Sequence, residues 1–426
     1  MPWISFFTVL QWSVVRFELS IVLTLTVCAA LLAAALVRRP AITMSRRPLV
    51  VVLLASAAVA EVVPSFSYTT SSERRWLAHG VAATCLLAAA ALMLLRRRQF
   101  EVGCGIALVG MIATSAAVIR LDEAPRIDVW VILQQAADGM AKGQNIYEMT
   151  WVDSPGIKDA FTYLPWTAAL LAPGRWVAGD VRWSLLVVFV IGLVFLARLG
   201  SRPGARSTSN ALAAATLLAL APGTVTQAEQ AWTEPLLFAC LAGWALLVSR
   251  DKAWWAVVPL ALACASKQHM ALLLPVLACW HTFGVRRTVA TGGLTGLLIL
   301  PWFIASPSAF VHDTITLLVT FPPIRFANTL FIAARTELGW TPPFWLTGII
   351  VLGILALACV MVHRRRPPLH EVLGWLALVL LVANLVNKQA FYNQYWLVGA
   401  LVALSLAATP VGSRRPAGDQ PTPRLT

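Results

Sequence analysis

Charge is what this sequence has least of: only 12% of its 426 residues are charged, against 59% that are hydrophobic, and the mean hydropathy is +0.75. A soluble core of this size cannot hide that much apolar surface, so an ordinary soluble domain is excluded. Acids are scarcer than bases, 19 against 33, which leaves a formal net charge of +14. That excess is not gathered into a basic patch interleaved with exposed aromatics, which argues against nucleic-acid binding. The seven cysteines (Cys28, Cys85, Cys104, Cys240, Cys264, Cys279 and Cys359) lie in apolar stretches without the spacing of a disulfide framework or a zinc site, and read as packing residues. No internal repeat is visible, and no cleavable signal peptide is expected. The first apolar segment is long, follows Arg16, and runs into a basic loop without a small-residue cleavage site.

What the sequence does have is apolar runs of membrane-spanning length. They fall near 18–37, 48–64, 76–95, 103–120, 183–199, 209–223, 233–249, 254–266, 270–283, 288–304, 344–362, 370–387 and 393–409. A hydrocarbon layer about 30 Å thick takes helices of this length. The fold class expected is therefore an all-α polytopic membrane protein of about thirteen transmembrane helices. Arginine clusters such as Arg38-Arg39, Arg96 to Arg98, Arg286-Arg287 and Arg364 to Arg366 fall on alternate turns, as cytoplasmic loops should, and Arg74-Arg75 is the exception. Contact with anionic lipid is a secondary use of that charge.

The pattern divides the chain into four parts. Residues 1–120 hold an N-terminal interfacial helix, marked by Trp3 and Trp12, and extra spans. Residues 121–182 form a first long external loop, and 183–409 the remaining bundle with a second external loop at 305–343. Residues 410–426, rich in Pro, Gly and Arg, are expected to be a disordered cytoplasmic tail.

Chemistry is sparse, and most of it faces outward. Asp128 opens a segment whose apolar residues, among them Val129, Ile132, Leu133 and Ala136, recur at helical spacing, which puts its carboxylate at a helix start. There it reads either as a simple N-cap or as an ionised base for a sugar hydroxyl, with Asp122 and Glu123 as rivals. Tyr163 and Trp166 stack on a sugar or belong to an aromatic belt. Lys267 and His269 interrupt an apolar stretch from Trp254 to Phe283, a costly placement unless paired or functional, and Lys388 and Arg325 recur in similar settings. Together they suggest an anionic ligand such as a phosphate; snorkelling is the alternative for each lysine. His269, and His312 with Asp313, lack the companions of a metal site, so no protein-bound metal or cofactor is expected.

The stretch from Asp128 to Pro173 resembles the polyprenol-phosphate-sugar-dependent glycosyltransferases of the GT-C fold, specifically the bacterial glycosyltransferase family 87 mannosyl- and arabinofuranosyltransferases. The features that carry the resemblance are an Asp after a membrane exit, a helix leading to Gly143 and Tyr147, a turn at Tyr163-Leu164-Pro165, and Pro173 after an apolar run. Further on, Gln230 and Lys267-Gln268 look like the family's polar breaks. Asn387-Lys388 with Gln394-Tyr395 is similar to a motif of glycosylphosphatidylinositol mannosyltransferases. The chain departs from the family in its extra N-terminal spans and in Leu164, where the family has proline.

The resemblance implies a GT-C-type helical bundle in a bacterial, expected actinobacterial, plasma membrane, with an extracytoplasmic site. It implies inverting transfer of mannose, or less readily arabinofuranose, from a polyprenyl-phosphate donor to a glycolipid or cell-wall glycan. Asp128 would be the base, and Lys267, His269, Arg325 and Lys388 would hold the donor phosphate. Tyr147, Tyr163, Trp166, Gln230, Gln268 and Tyr395 would contact substrate. A secondary transporter or lipid flippase is the rival function, and a scaffolding role the third.

Overall fold

The computed structural model describes residues 2–39, 44–201 and 208–410; the expected tail beyond Pro410 lies outside the described residues. Among these residues every regular element is helical. The N-terminal part comprises α1 (Trp3–Ser13), α2 (Leu19–Arg38), α3 (Arg46–Val62), α4 (Ser71–Leu94) and α5 (Gln99–Leu121). The first loop holds α6 (Asp128–Ala141) and α7 (Trp166–Ala178). The bundle continues with α8 (Val181–Arg198), α9 (Ser209–Ala219), α10 (Thr224–Glu229), α11 (Glu234–Ser249), α12 (Val257–Ser266), α13 (Leu274–Cys279) and α14 (Gly284–Ala305). The second loop carries α15 (Pro307–Val311), α16 (Leu317–Thr320) and α17 (Leu330–Glu337), and α18 (Phe344–Arg365), α19 (Leu369–Val386) and α20 (Tyr392–Ala408) complete the fold.

Each of the thirteen apolar runs has a helix on it. Seven helices, namely α2, α4, α5, α8, α14, α18 and α19, are long and apolar enough to cross a membrane. The protein is thus a helical chain built for a bilayer. α3 and α20, each 17 residues, sit at the short end of the spanning range, and α9, α11 and α12 are shorter or sunk in the interior.

Local chemistry explains the boundaries. Thr70 and Glu73 close a reciprocal capping box on α4. Asp180 and Thr208 cap α8 and α9 through backbone N–H groups two and three residues on. α7 stops at Gly179, whose φ of 81° is the left-handed conformation that ends a helix.

The interior is organised around α8, α11 and α20. α11 is buried along nearly its whole length, and Phe189, Phe238 and Trp396 meet edge to face at 5.5–6.0 Å between centroids. Gly192 makes this possible: a Cβ there would come within 2.6 Å of the Phe238 ring. α1, expected along the membrane surface, sinks Phe6, Phe7 and Leu10 fully into the core, with Phe7 lodged against Gly399 of α20. α14 and α18 lie at the periphery with open faces.

The first loop is fastened to this frame by side chains. Arg175 of α7 grips Asp138 of α6 through two bonds of 2.8 and 2.9 Å, and Gln134 donates to Gly179 O at 3.2 Å. Below them Arg182, fully buried, holds Asp180 and donates to Asp122 O at 2.6 Å, so one guanidinium joins the end of α5 to the start of α8. Trp130 of α6 also donates to Asp180, at 3.1 Å. Removing the cation from such a network strands a buried carboxylate. Arg182→Met is therefore expected to lower unfolding stability by about 3 kcal/mol or more, measured as a drop in thermal midpoint in detergent, whereas Arg175→Met at the more exposed pair should cost less.

Candidate active site

Asp128 is the first residue of α6, and Ile127 holds the capping position before it. Its carboxylate accepts the N–H of Val129 at 2.9 Å and that of Ile157 from the far end of the loop. Gly156 presses so close that a Cβ there would come within 2.5 Å of Asp128 Oδ2. The contact with the 156–157 turn makes it more than a helix cap. Burial pushes its carboxyl above the ordinary range. Of the two rivals, Asp122 ends α5 beside Arg182, and Glu123 is exposed.

A break in the bundle meets this carboxylate from the other side. α12 stops at Ser266 and the chain resumes as a 3-10 turn over Gln268–Leu273. The loop takes up the freed Ser266 carbonyl: it accepts the N–H of Leu164 at 3.2 Å and the hydroxyl of Thr167 at 2.6 Å. That seats Tyr163 over the break. Lys267 Nζ lies 5.4 Å from the Tyr163 ring centroid. Burial, then the charges of Asp128 and Glu234, push the Tyr163 hydroxyl far up, so it stays a proton donor. Asp128, Tyr163, Glu234 and Lys267 thus share one neighbourhood, with His269 beside Lys267.

Lys267 has a partner within the chain. Its charge is balanced by Glu234, at 2.5 Å, with a second bond to Thr233 Oγ1 at 3.1 Å. Glu234 is fully buried and its other oxygen has no hydrogen-bond partner. A carboxylate on the neighbouring helix, rather than a phosphate, therefore offsets the cost of this buried lysine.

Four of the expected substrate contacts give their donors to backbone carbonyls. Tyr147 donates to Tyr163 O at 2.9 Å, Trp166 to Leu298 O at 3.0 Å, and Gln268 through Nε2 to Thr162 O at 2.9 Å and Thr314 O at 3.2 Å. Tyr395, 1% exposed, donates to Asn328 O at 2.8 Å. These four position the loops. Gln230 differs: it is buried, its Nε2 has no partner, and the amide of Gln227 beside it is wholly unpartnered.

Lys388 and Arg325 belong to the second loop's side. Lys388 donates to Val319 O at 2.7 Å and Phe321 O at 2.5 Å, closing the end of α16, and burial lowers its pKa. Arg325 is exposed and unpaired among the described residues. Between the two loops lies an open groove of about 630 Å³, walled by residues 150–153 and 156–159 on one side and by Leu317 and Phe321 on the other. Gly156 and Ile157 thus have Asp128 at their back and the groove in front. Asp313 holds the walls together by accepting the Phe161 N–H at 2.7 Å while pairing with His312.

Glu229, on α10, is a second buried carboxyl that sequence reasoning left without a role. It accepts from Ser67 Oγ and from the Tyr68 N–H at 2.9 Å. No protein-family model matches the chain, and no curated protein matches it either.

Burial pushes Glu229 up to about 7 from an ordinary 4.5. A raised carboxyl contributes stability that is complete below its ordinary value and is lost as pH rises through about 7. Glu229→Gln, which cannot ionise, should therefore flatten the decline in thermal midpoint between weakly acidic and weakly alkaline buffer. Parallel curves for the two proteins would show that Glu229 is not the titrating group.

Proposed function

We propose that the chain is an integral-membrane glycosyltransferase of GT-C type. In this reading a sugar, mannose before arabinofuranose, passes from a polyprenyl-phosphate donor to a lipid-linked or cell-wall glycan at the extracytoplasmic face of a bacterial plasma membrane. The bundle crosses the bilayer about thirteen times, with α9, α12 and α13 as short or broken crossings. The observation that carries the reading is the meeting at Tyr163: a half-buried carboxylate on an extramembrane helix and a buried Lys267–Glu234 pair at a helix break share one tyrosine, beside an open groove. The unpartnered Gln227, Gln230 and Glu234 oxygen add hydrogen-bonding capacity suited to a polyhydroxyl ligand.

The chemistry is a single displacement. The acceptor hydroxyl oxygen attacks the anomeric carbon as the bond from that carbon to the phosphate oxygen breaks, and configuration inverts. The proton goes to Asp128, and the electron pair leaves on the phosphate. A raised pKa makes Asp128 a stronger base than an exposed carboxylate. Lys388 and Arg325 stabilise the charge that grows on the departing phosphate. Lys267, matched by Glu234, orients Tyr163 toward the sugar, with His269 alongside.

A transporter is the second reading, favoured by the broken helix at Lys267 and its buried ion pair. One assay separates the two: purified protein incubated with radiolabelled polyprenyl-phosphate-mannose and membrane glycolipid extract. Transfer is expected with wild type, rising with pH to a plateau whose midpoint lies above the ordinary carboxylate range. Asp128→Asn should be slower by about 10²-fold or more and lack that limb. Equal transfer by both proteins would remove Asp128 from the mechanism, and none by wild type from either the mannose or the arabinofuranose donor would favour transport.

A further inference from the structure

A second cavity lies in the N-terminal helices that the glycosyltransferase resemblance leaves unexplained. Tyr68 separates it from the Asp128 side, giving its N–H to Glu229 and its hydroxyl to Arg126 O at 2.8 Å. The cavity measures about 70 Å³ and runs down between the α4–α5 pair on one side and residues 219–226 on the other, room for roughly five waters or one narrow chain.

Its lower part is apolar. Leu77, Ala78 and Val81 of α4 face Met111 and Val118 of α5. Thr84 and Thr114 also line it, but each hydroxyl donates to a carbonyl of its own helix, Gly80 O and Gly110 O, at 2.8 Å, leaving no donor for water. The floor closes where α4 and α5 touch: a Cβ on Gly110 would come within 2.2 Å of Thr84 Cγ2. Gln11 is spent on Val63 O at 2.6 Å.

The upper part is polar, lined by Ser65, Ser67, Arg74 and Glu229. Among the described residues the Arg74 guanidinium has neither an ion-pair nor a hydrogen-bond partner. Arg74-Arg75 is also the one arginine pair that breaks the alternation of basic clusters, so topology gives it no purpose. An unpaired guanidinium above an apolar slot matches an amphiphile with an anionic head.

We propose that this cleft is a lipid site, in which one hydrocarbon chain of an anionic phospholipid lies between the α4–α5 pair and residues 219–226 and its phosphate accepts from Arg74. Glu229 is compatible with that head, because burial holds part of its population protonated at neutral pH. The lipid is a bound component of the leaflet on the Asp128 side, and the site stands whether or not the chain transfers sugar.

The test is photocrosslinking of purified full-length protein in phosphatidylcholine nanodiscs doped with phosphatidylglycerol carrying a diazirine in one acyl chain, with peptide mass spectrometry of the products. Labels should concentrate on 71–94, 99–121 and 219–226 and be displaced by unlabelled phosphatidylglycerol but not by inorganic phosphate. Arg74→Gln should weaken the labelling about tenfold, the value of one charge-assisted contact, while Arg75→Gln, next to it on the exposed side, should leave it near wild type. Ala78→Trp, which fills the slot without touching the charge, should also abolish it. Labelling spread evenly over the outward-facing helices, equal loss from both arginine variants, or displacement by inorganic phosphate would each overturn the proposal.

Discussion

The ion pair between Lys267 and Glu234 is the constraint on which the rest of the candidate site depends. Two charges in an apolar bundle are tolerable only together, because removing either strands the other in low dielectric. To meet, the lysine must leave helical geometry, and the chain does so by ending α12 at Ser266. The break frees a carbonyl that cannot stay unpaired at that depth, and Leu164 and Thr167 of the first loop satisfy it. The backbone repair at Ser266 is thus what delivers Tyr163 to the lysine.

From that anchor the two loops arrange themselves. Tyr147 holds the Tyr163 carbonyl, Gln268 ties Thr162 to Thr314, and Asp313 takes the Phe161 N–H, so the 161–163 strip is pinned from three directions. Asp128 is pinned separately, through Gly156 and Ile157 on the opposite limb of the loop. The result is a groove with fixed walls, and apart from it three buried side chains, Gln227, Gln230 and Glu234, have hydrogen bonds left to make. Buried polar atoms are normally satisfied, so these three stand out in the interior.

Much of this was legible in the sequence. Hydropathy placed helix on each apolar run, seven of those helices being long and apolar enough to cross a membrane, and the cost of a charge in such a run singled out Lys267. Helical spacing after Asp128 placed its carboxylate at the start of α6. Pairing was not legible. Lys267 meets a carboxylate 33 positions away, and only packing of α11 against α12 shows which one. Nor could residue type reveal that Tyr147, Trp166, Gln268 and Tyr395 spend their polar atoms on carbonyls, since the same side chains suit a sugar. Glu234 itself carried a usable signal: an acid at the head of an apolar run, close in sequence to a run holding an unexplained lysine.

The central claim is that one buried pair holds this arrangement together, and a double-mutant cycle at Lys267 and Glu234 measures it most directly. Lys267→Met and Glu234→Met singly should each lower unfolding stability in detergent by about 3–5 kcal/mol. The double variant, which leaves no unpaired charge, should recover most of that loss. Additive losses in the double variant would mean that the two side chains act independently, and would contradict the account.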